Sequence, residues 1–270
     1  MIMIILGSIL MVLSIVLFFV QYNARQKVAS LRQARGGSIG DLQMIALKVA
    51  SEIGSGSWRD YVKLRGDIQC DQPLISELKQ VPCVYYEMKV EREYKKTVTE
   101  RDSEGNTTTK TERESEVISE NSRSIPFKLK DNTGTIEIDP DGAQIETVKV
   151  LDEFRQATSS SISFGGFSLS LGNNDGQTIG YHYQESILPL NRNAFILGEV
   201  TDARGLSGSY DATQLTIEKP TKWDKKYIIS LQSEARLQKE AARTSKYSFY
   251  GMLAAFTAGA ILLGVGLTSA

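Results

Sequence analysis

The chain has 270 residues, 31 basic and 32 acidic side chains, and a net charge of -1. That balance excludes the basic footprint of a nucleic-acid-binding protein, and no nucleic-acid partner is expected. Two Cys and one His exclude a disulfide framework and any pair of zinc sites.

The charges are unevenly placed: all of them lie between residues 21 and 247. Residues 1–20 leave the apolar list only at Gly7, Ser8 and Ser14. Twenty helical residues span about 30 Å, the thickness of a hydrocarbon core. The alternative is a cleaved signal peptide. It fits poorly, because no basic stretch precedes the run and no A-x-A-like site ends it. Residues 1–20 are therefore expected to be transmembrane helix 1.

Residues 21–57 read as a helical linker. Leu42, Ile45, Ala46, Val49 and Ile53 recur at three- and four-residue steps, with Asp41 as the expected N-cap. Residues 58–230 read as a β-rich domain. Tyr61, Val62, Leu64 and Ile68 suggest a strand broken at Gly66, and Val84, Tyr86, Met88 and Val90 alternate as in a half-buried strand. Residues 95–120 are mostly Thr, Glu, Lys, Arg and Ser around Glu104-Gly105-Asn106. Disorder is one reading of that composition. A charged, solvated hairpin is the favoured one, since Thr and Val suit strands.

Residues 125–129 and 135–138 read as strand, turn and strand, with Asp131-Asn132-Thr133-Gly134 as the turn. Residues 158–176 form a Ser/Gly-rich loop that nevertheless carries Ile162, Phe164, Phe167, Leu169 and Leu171. Three fates are open to these five: completion of the core, an exposed interaction tip touching bilayer or partner, or a linker. Further strands are expected at 194–200, 215–217 and 227–229. Residues 231–247 are expected to be a juxtamembrane helix, and 248–269 transmembrane helix 2.

In that second span Gly251, Ala255 and Gly259 recur every four residues, so they share a face. Small residues there suit close helix pairing, with the first span or with another copy of the chain. Both spans have basic inner flanks: Arg25, Lys27, Arg32 and Arg35 after the first, and Arg236, Lys239, Arg243 and Lys246 before the second. The positive-inside rule places the middle domain in the cytoplasm and both termini on the opposite side.

Several of these stretches carry a family resemblance. Val81-Pro82-Cys83-Val84-Tyr85-Tyr86 is similar to the cysteine-and-tyrosine strand of the GIDE domain. The resemblance continues through Ile125-Pro126-Phe127 to Pro140, then Glu185-Ser186-Ile187-Leu188-Pro189, Leu197-Gly198-Glu199-Val200, Ile217-Glu218-Lys219-Pro220 and Tyr227-Ile228-Ile229-Ser230. In this order, between two spans, the chain resembles GIDE-type membrane-anchored E3 ubiquitin ligases. Their soluble part is also called the BAM, or "beside a membrane", domain. The expected fold is β-rich α+β, with OB- or barrel-like strands in a soluble domain between two transmembrane α-helices.

The resemblance implies a RING finger after the second span, holding two zinc ions with eight Cys and His ligands. This sequence has three such residues, Cys70, Cys83 and His182. They do not complete even one four-ligand structural zinc site without carboxylates. No ligase residue is carried over, and no catalytic, metal or cofactor-binding residue is expected. Cys70 and Cys83 would pair only in an oxidising space, and Cys83 has the sequence context of a small buried hydrophobe. The expected function is a non-catalytic membrane scaffold that binds an unidentified protein partner and touches membrane lipid. The alternative is a component of an E3 ubiquitin ligase system that works only with a separate RING-bearing partner.

Overall fold

A computed structural model describes residues 2–54, 58–101, 107–157, 161–170, 177–202 and 215–268. In chain order the elements are α1 (Ile2–Gln33), β1 (Arg35–Gly36), α2 (Ile39–Ile53), β2 (Arg59–Gln69), β3 (Leu74–Ile75), β4 (Pro82–Arg101) and β5 (Thr107–Ser124). There follow β6 (Phe127–Lys130), β7 (Thr135–Ile138), β8 (Gln144–Ile145), β9 (Val148–Gln156), β10 (Ser161–Phe164) and β11 (Phe167–Ser170). The last are β12 (Gln177–Pro189), β13 (Asn193–Thr201), β14 (Thr216–Glu218), β15 (Ile228–Ser230) and α3 (Glu234–Thr268). The architecture is β-rich α+β, with a five-stranded barrel-like sheet and an apolar helix at each end of the chain.

The chain divides into two compact units. The first comprises Met1–Arg65, Gly142–Gln144 and Ala194–Ala270. Its two long helices are each apolar and long enough to cross a membrane. Neither stops where its apolar run stops. α1 continues through Arg25, Lys27 and Arg32 to Gln33, and α3 starts at Glu234, fourteen residues before the apolar stretch that begins at Ser248. No Gly or Pro interrupts either basic stretch, so nothing local ends the helix at the membrane boundary.

The short helix α2 begins one turn earlier than its apolar period indicates. Ser38, not Asp41, is its N-cap. The Ser38 hydroxyl accepts from the Asp41 amide at 3.2 Å, and Asp41 Oδ2 accepts from the Ser38 amide at 3.2 Å. This reciprocal box satisfies two otherwise orphaned donors. The core of this unit joins Leu31, Ala34, Tyr61, Phe195, Leu197, Ile228 and Leu237. Strand β13 runs through it with every residue after Asn193 buried, because β14 and β15 flank it and both its faces are covered.

The second unit comprises Gly66–Asp141 and Ile145–Asn193. Strand β2 passes into it through Gly66 without a break. A Cβ at Gly66 would lie 2.5 Å from the Lys130 carbonyl oxygen. The missing side chain is what lets β6 pair with Asp67, Ile68 and Gln69 at this spacing. The sheet of this unit has β12 at its centre, between β9 and β4, while β5 and β3 pair with the other edge of β4. All these pairings are antiparallel. β4 and β5 stay in register from Tyr85 opposite Ser124 to Arg101 opposite Thr107, with one bulge at Val90/Glu91. β12 leaves β4 after Lys95. Beyond that point β4 pairs only with β5 among the described residues.

Alternation along the strands sorts their side chains. Met88 and Val90 of β4, Tyr181 and Tyr183 of β12, and Leu151 of β9 point to one face, where they meet Leu78 and Phe167. Glu87, Lys89, His182, Gln184 and Ser186 occupy the alternate positions. The first set builds the core and the second builds a polar outer surface.

Candidate functional site

The outer surface of the β4–β12 sheet carries a cavity of about 660 Å³ whose lining includes Tyr85, Glu87, Lys89, Glu120, Lys149 and Gln184. Its two lysines are ion-paired nearby. Lys89 Nζ lies 2.6 Å from Glu91, and Lys149 Nζ lies 2.6 Å from Asp152. Glu87 accepts from Thr147 Oγ1 at 3.0 Å and from the Tyr85 hydroxyl at 3.3 Å. Such a surface is polar without a dominant sign, which suits a protein-facing or solvent-facing role better than capture of a single ion.

His182 sits on this surface, with Nε2 2.6 Å from Asp152 Oδ1. Hydrogen bonds from Lys149, His182 and Gln184 hold the Asp152 carboxyl down at about 2, well below the usual carboxylate value. The carboxylate thus stays ionised through any ordinary pH, and the imidazole, lysine and glutamine form a ladder around it. Cys83 is fully buried beside Tyr86 and Ile187. Burial, with a smaller contribution from the Glu185 charge, pushes its thiol up to about 11. A thiol in that state is not a nucleophile at neutral pH. Cys70 and Cys83 are both free. Among the described residues, no three His, Cys, Asp or Glu side chains gather as a metal-holding group.

One buried carboxylate went unremarked in the sequence except as part of a motif. Glu185 is 1% exposed, on the core side of β12. It accepts from Ser76 Oγ at 2.9 Å, from the Leu78 amide at 2.6 Å and from the Lys79 amide at 2.8 Å. Its partners are all in the loop between β3 and β4, so it acts as a clamp. Arg92, also buried, donates to Thr178 Oγ1 at 2.8 Å and to Glu116 at 2.7 Å. It stacks over Tyr94 at 4.5 Å and ties β4 to both of its neighbours.

The Ser/Gly-rich stretch contains the β10–β11 hairpin, whose register pairs Ile162 with Leu169 and Phe164 with Phe167 across Gly165-Gly166. Phe167 lies in the core cluster. Phe164 is half-buried, stacked on Tyr183 with ring centroids 4.8 Å apart, and the Arg155 guanidinium lies 4.0 Å from its ring centroid. The hairpin turn is docked: the Gly166 amide donates to the Glu77 carbonyl at 2.8 Å. Leu171 lies outside the described residues.

Gly251, Ala255 and Gly259 all lie along the line where α3 meets α1. Cβ atoms on Gly251 and Gly259 would stand 3.3 Å from Leu17 and 3.1 Å from the Gly7 carbonyl oxygen, and Ala255 is buried. On the facing helix, a Cβ at Gly7 would come within 2.7 Å of Leu263. The two helices run antiparallel, with Ile4 near Gly266, Gly7 near Gly259 and Leu17 near Gly251. The start of α1 and the end of α3 therefore lie at the same end of the helix pair.

A family model described as "GIDE: E3 Ubiquitin ligase" matches residues 95–266, more than half of the chain. The chain belongs to the GIDE family. The GIDE match takes in the outer part of the β4–β5 hairpin, the whole of β12 and the strands around β13, and it ends two residues short of the end of α3. The Cys83 and Tyr85-Tyr86 strand segment lies ahead of the matched residues. No curated protein and no solved structure matches the chain.

Proposed function

We propose that this GIDE-family chain is a non-catalytic, membrane-anchored scaffold that presents its β-rich region to a protein partner. The observation that supports this most directly is the state of Cys83 and His182. The Cys83 thiol is sealed in the core and His182 is held in an exposed carboxylate ladder. Neither is placed as a nucleophile or as a base that activates one. The family match favours one further reading, in which the chain serves an E3 ubiquitin ligase system and the RING chemistry comes from a separate partner.

Purified chain incubated with ubiquitin, its activating enzyme and a panel of conjugating enzymes is expected to show no autoubiquitination and no stoichiometric zinc. Transfer by the chain alone, or bound zinc, would refute the scaffold reading.

The basic stretches of α1 and α3 adjoin the same end of the helix pair, and by the positive-inside rule that end is cytoplasmic. A pair of engineered-cysteine variants tests this, each in a Cys70→Ser background where the remaining native thiol, Cys83, is buried. In intact cells an impermeant thiol reagent is expected to label Ile2→Cys and to spare Trp223→Cys until lysis. Trp223 is 83% exposed, so protection there would come from the membrane and not from burial. Early labelling of Trp223→Cys would reverse the orientation.

A further inference from the structure

We infer that a pocket between α1 and α3, just beyond their apolar stretches, binds the phosphate group of an anionic phospholipid. This rests on the reading of both helices as membrane spans. The pocket encloses about 660 Å³, and its lining includes Arg25 and Arg32 from α1 and Ser245, Lys246, Phe249 and Tyr250 from α3. No acidic residue lines it. Sites of this size hold ligands of headgroup dimensions.

Among the described residues its three cations form no ion pair, whereas Arg236, Lys63 and Arg243 on the same helices or close by have partners. Arg236 pairs with Glu240 at 3.0 Å, Lys63 pairs with Glu234 at 2.5 Å, and Arg243 stacks on Tyr247 at 5.5 Å. Among the described residues, Arg25, Arg32 and Lys246 form no ion pair, and only Arg25 has an aromatic contact, 6.0 Å from the Phe249 ring. Three like charges around one cavity repel each other, and an anion between them removes that penalty.

The pocket opens at the depth of the headgroups. At 1.5 Å per residue, Arg25 lies about 7.5 Å and Arg32 about 18 Å beyond Val20, and Lys246 about 3 Å before Ser248. The polar layer adds roughly 5–7 Å to each side of the hydrocarbon core. Helical side chains lean toward the helix N-terminus. On α1 that carries Arg25 and Arg32 toward the bilayer, and on the antiparallel α3 it carries Lys246 away from it, so the three converge. Phe249 and Tyr250 form the membrane-side floor, as aromatic rings do at an interface. A phosphodiester can then sit among the cations while its glycerol and acyl chains leave over the rings.

The test is native mass spectrometry of the full chain released from phosphatidylcholine nanodiscs that contain a minor fraction of phosphatidylglycerol. Wild-type chain should retain phosphatidylglycerol, and retention should fall as salt rises. The variant Arg25→Gln/Arg32→Gln/Lys246→Gln should bind it about 100-fold more weakly, at about fivefold per cation. Lys239→Gln, which does not line the pocket, should match wild type. Equal retention by the triple variant, or salt-independent retention by wild type if that variant does not fold, overturns the proposal. Displacement of the lipid by inorganic phosphate at matched concentration also overturns it, and would assign the site to a soluble phosphate. Carbonate extraction of the same membranes tests the spanning of α1 and α3 separately. A chain that extracts as peripheral refutes the spanning, whereas a chain that stays integral but shows no lipid preference refutes only the pocket.

Discussion

Replacing Glu185 with alanine should destabilise the β4–β12 sheet unit by about 3–5 kcal/mol. Three donors lose their acceptor at once: the Ser76 hydroxyl and the amides of Leu78 and Lys79. Ser76 is fully buried and Leu78 is 2% exposed, so water does not reach these two donors without opening the loop. A buried donor left unsatisfied costs about 1–3 kcal/mol. The Ser76 hydroxyl also accepts from the Val81 amide at 3.2 Å, so losing its own acceptor loosens the return of the loop into β4. Glu185→Gln keeps one carbonyl oxygen and should cost less. The measurement is thermal unfolding of the detergent-solubilised chain, with hydrogen exchange at residues 76–81. Unchanged protection of the Leu78 and Lys79 amides in Glu185→Ala would show that the carboxylate does not order the loop.

Why was this clamp hard to see in the sequence? Glu185 falls on a core-side position of β12, between Tyr183 and Ile187, where alternation calls for an apolar residue. Its amide partners lie 107 and 106 positions away. No local period reports an interaction at that separation. The alternation of Val84, Tyr86, Met88 and Val90 was legible because a strand half in water repeats every two residues. The apolar helices were legible for a similar reason, as length and hydropathy are local properties. Their true extents were not, since the basic residues that end an apolar run do not end a helix. The cap of α2 was legible in principle as Ser38-x-x-Asp41, but the apolar period alone placed the start three residues late. Gly66 misled in the opposite sense. It reads as a strand breaker, yet it marks the close approach of the Lys130 backbone.

The juxtamembrane pocket shows the same limit. Arg25, Arg32 and Lys246 were visible as flanking charge, which bears on orientation. Their convergence depends on how two helices more than 200 positions apart in sequence come together, and that is set by Gly7, Gly251 and Gly259 in the apolar stretches. Small residues deep in the helix pair thus position cations at its end.

The Ser/Gly hairpin yields the second large expected effect. Gly165→Ala should cost about 3–5 kcal/mol, and Gly166→Ala about 1 kcal/mol or less. Gly165 has φ 59° at the first central position of the turn, where a side chain is strained. A Cβ there would also overlap the Leu78 carbonyl oxygen and lie 2.8 Å from its carbon. All the atoms it meets are backbone of residues 77–78, which leaves no soft way out, so the turn must lift from the loop. Lifting breaks the bond from the Gly166 amide to Glu77 and withdraws Phe167, which is 7% exposed, from the core. Burial of one such ring accounts for about 1.5–3 kcal/mol. At Gly166 the nearest atom to an added Cβ is the end of the Gln80 side chain, at 2.6 Å, which can swing aside by giving up its hydrogen bonds to the Ser76 and Glu77 carbonyls. Gly166 serves as the comparison, since it has no positive φ and the nearest atom to its added Cβ belongs to a side chain. Unfolding midpoints for the two variants, with the exposure of Phe167 followed by hydrogen exchange in β11, decide it. Equal small losses would mean that the hairpin rests only loosely on the loop at residues 77–78. A large loss at Gly165 alone would mean that Glu185, the loop it holds and the hairpin docked on that loop form one structural unit over the core face of β12.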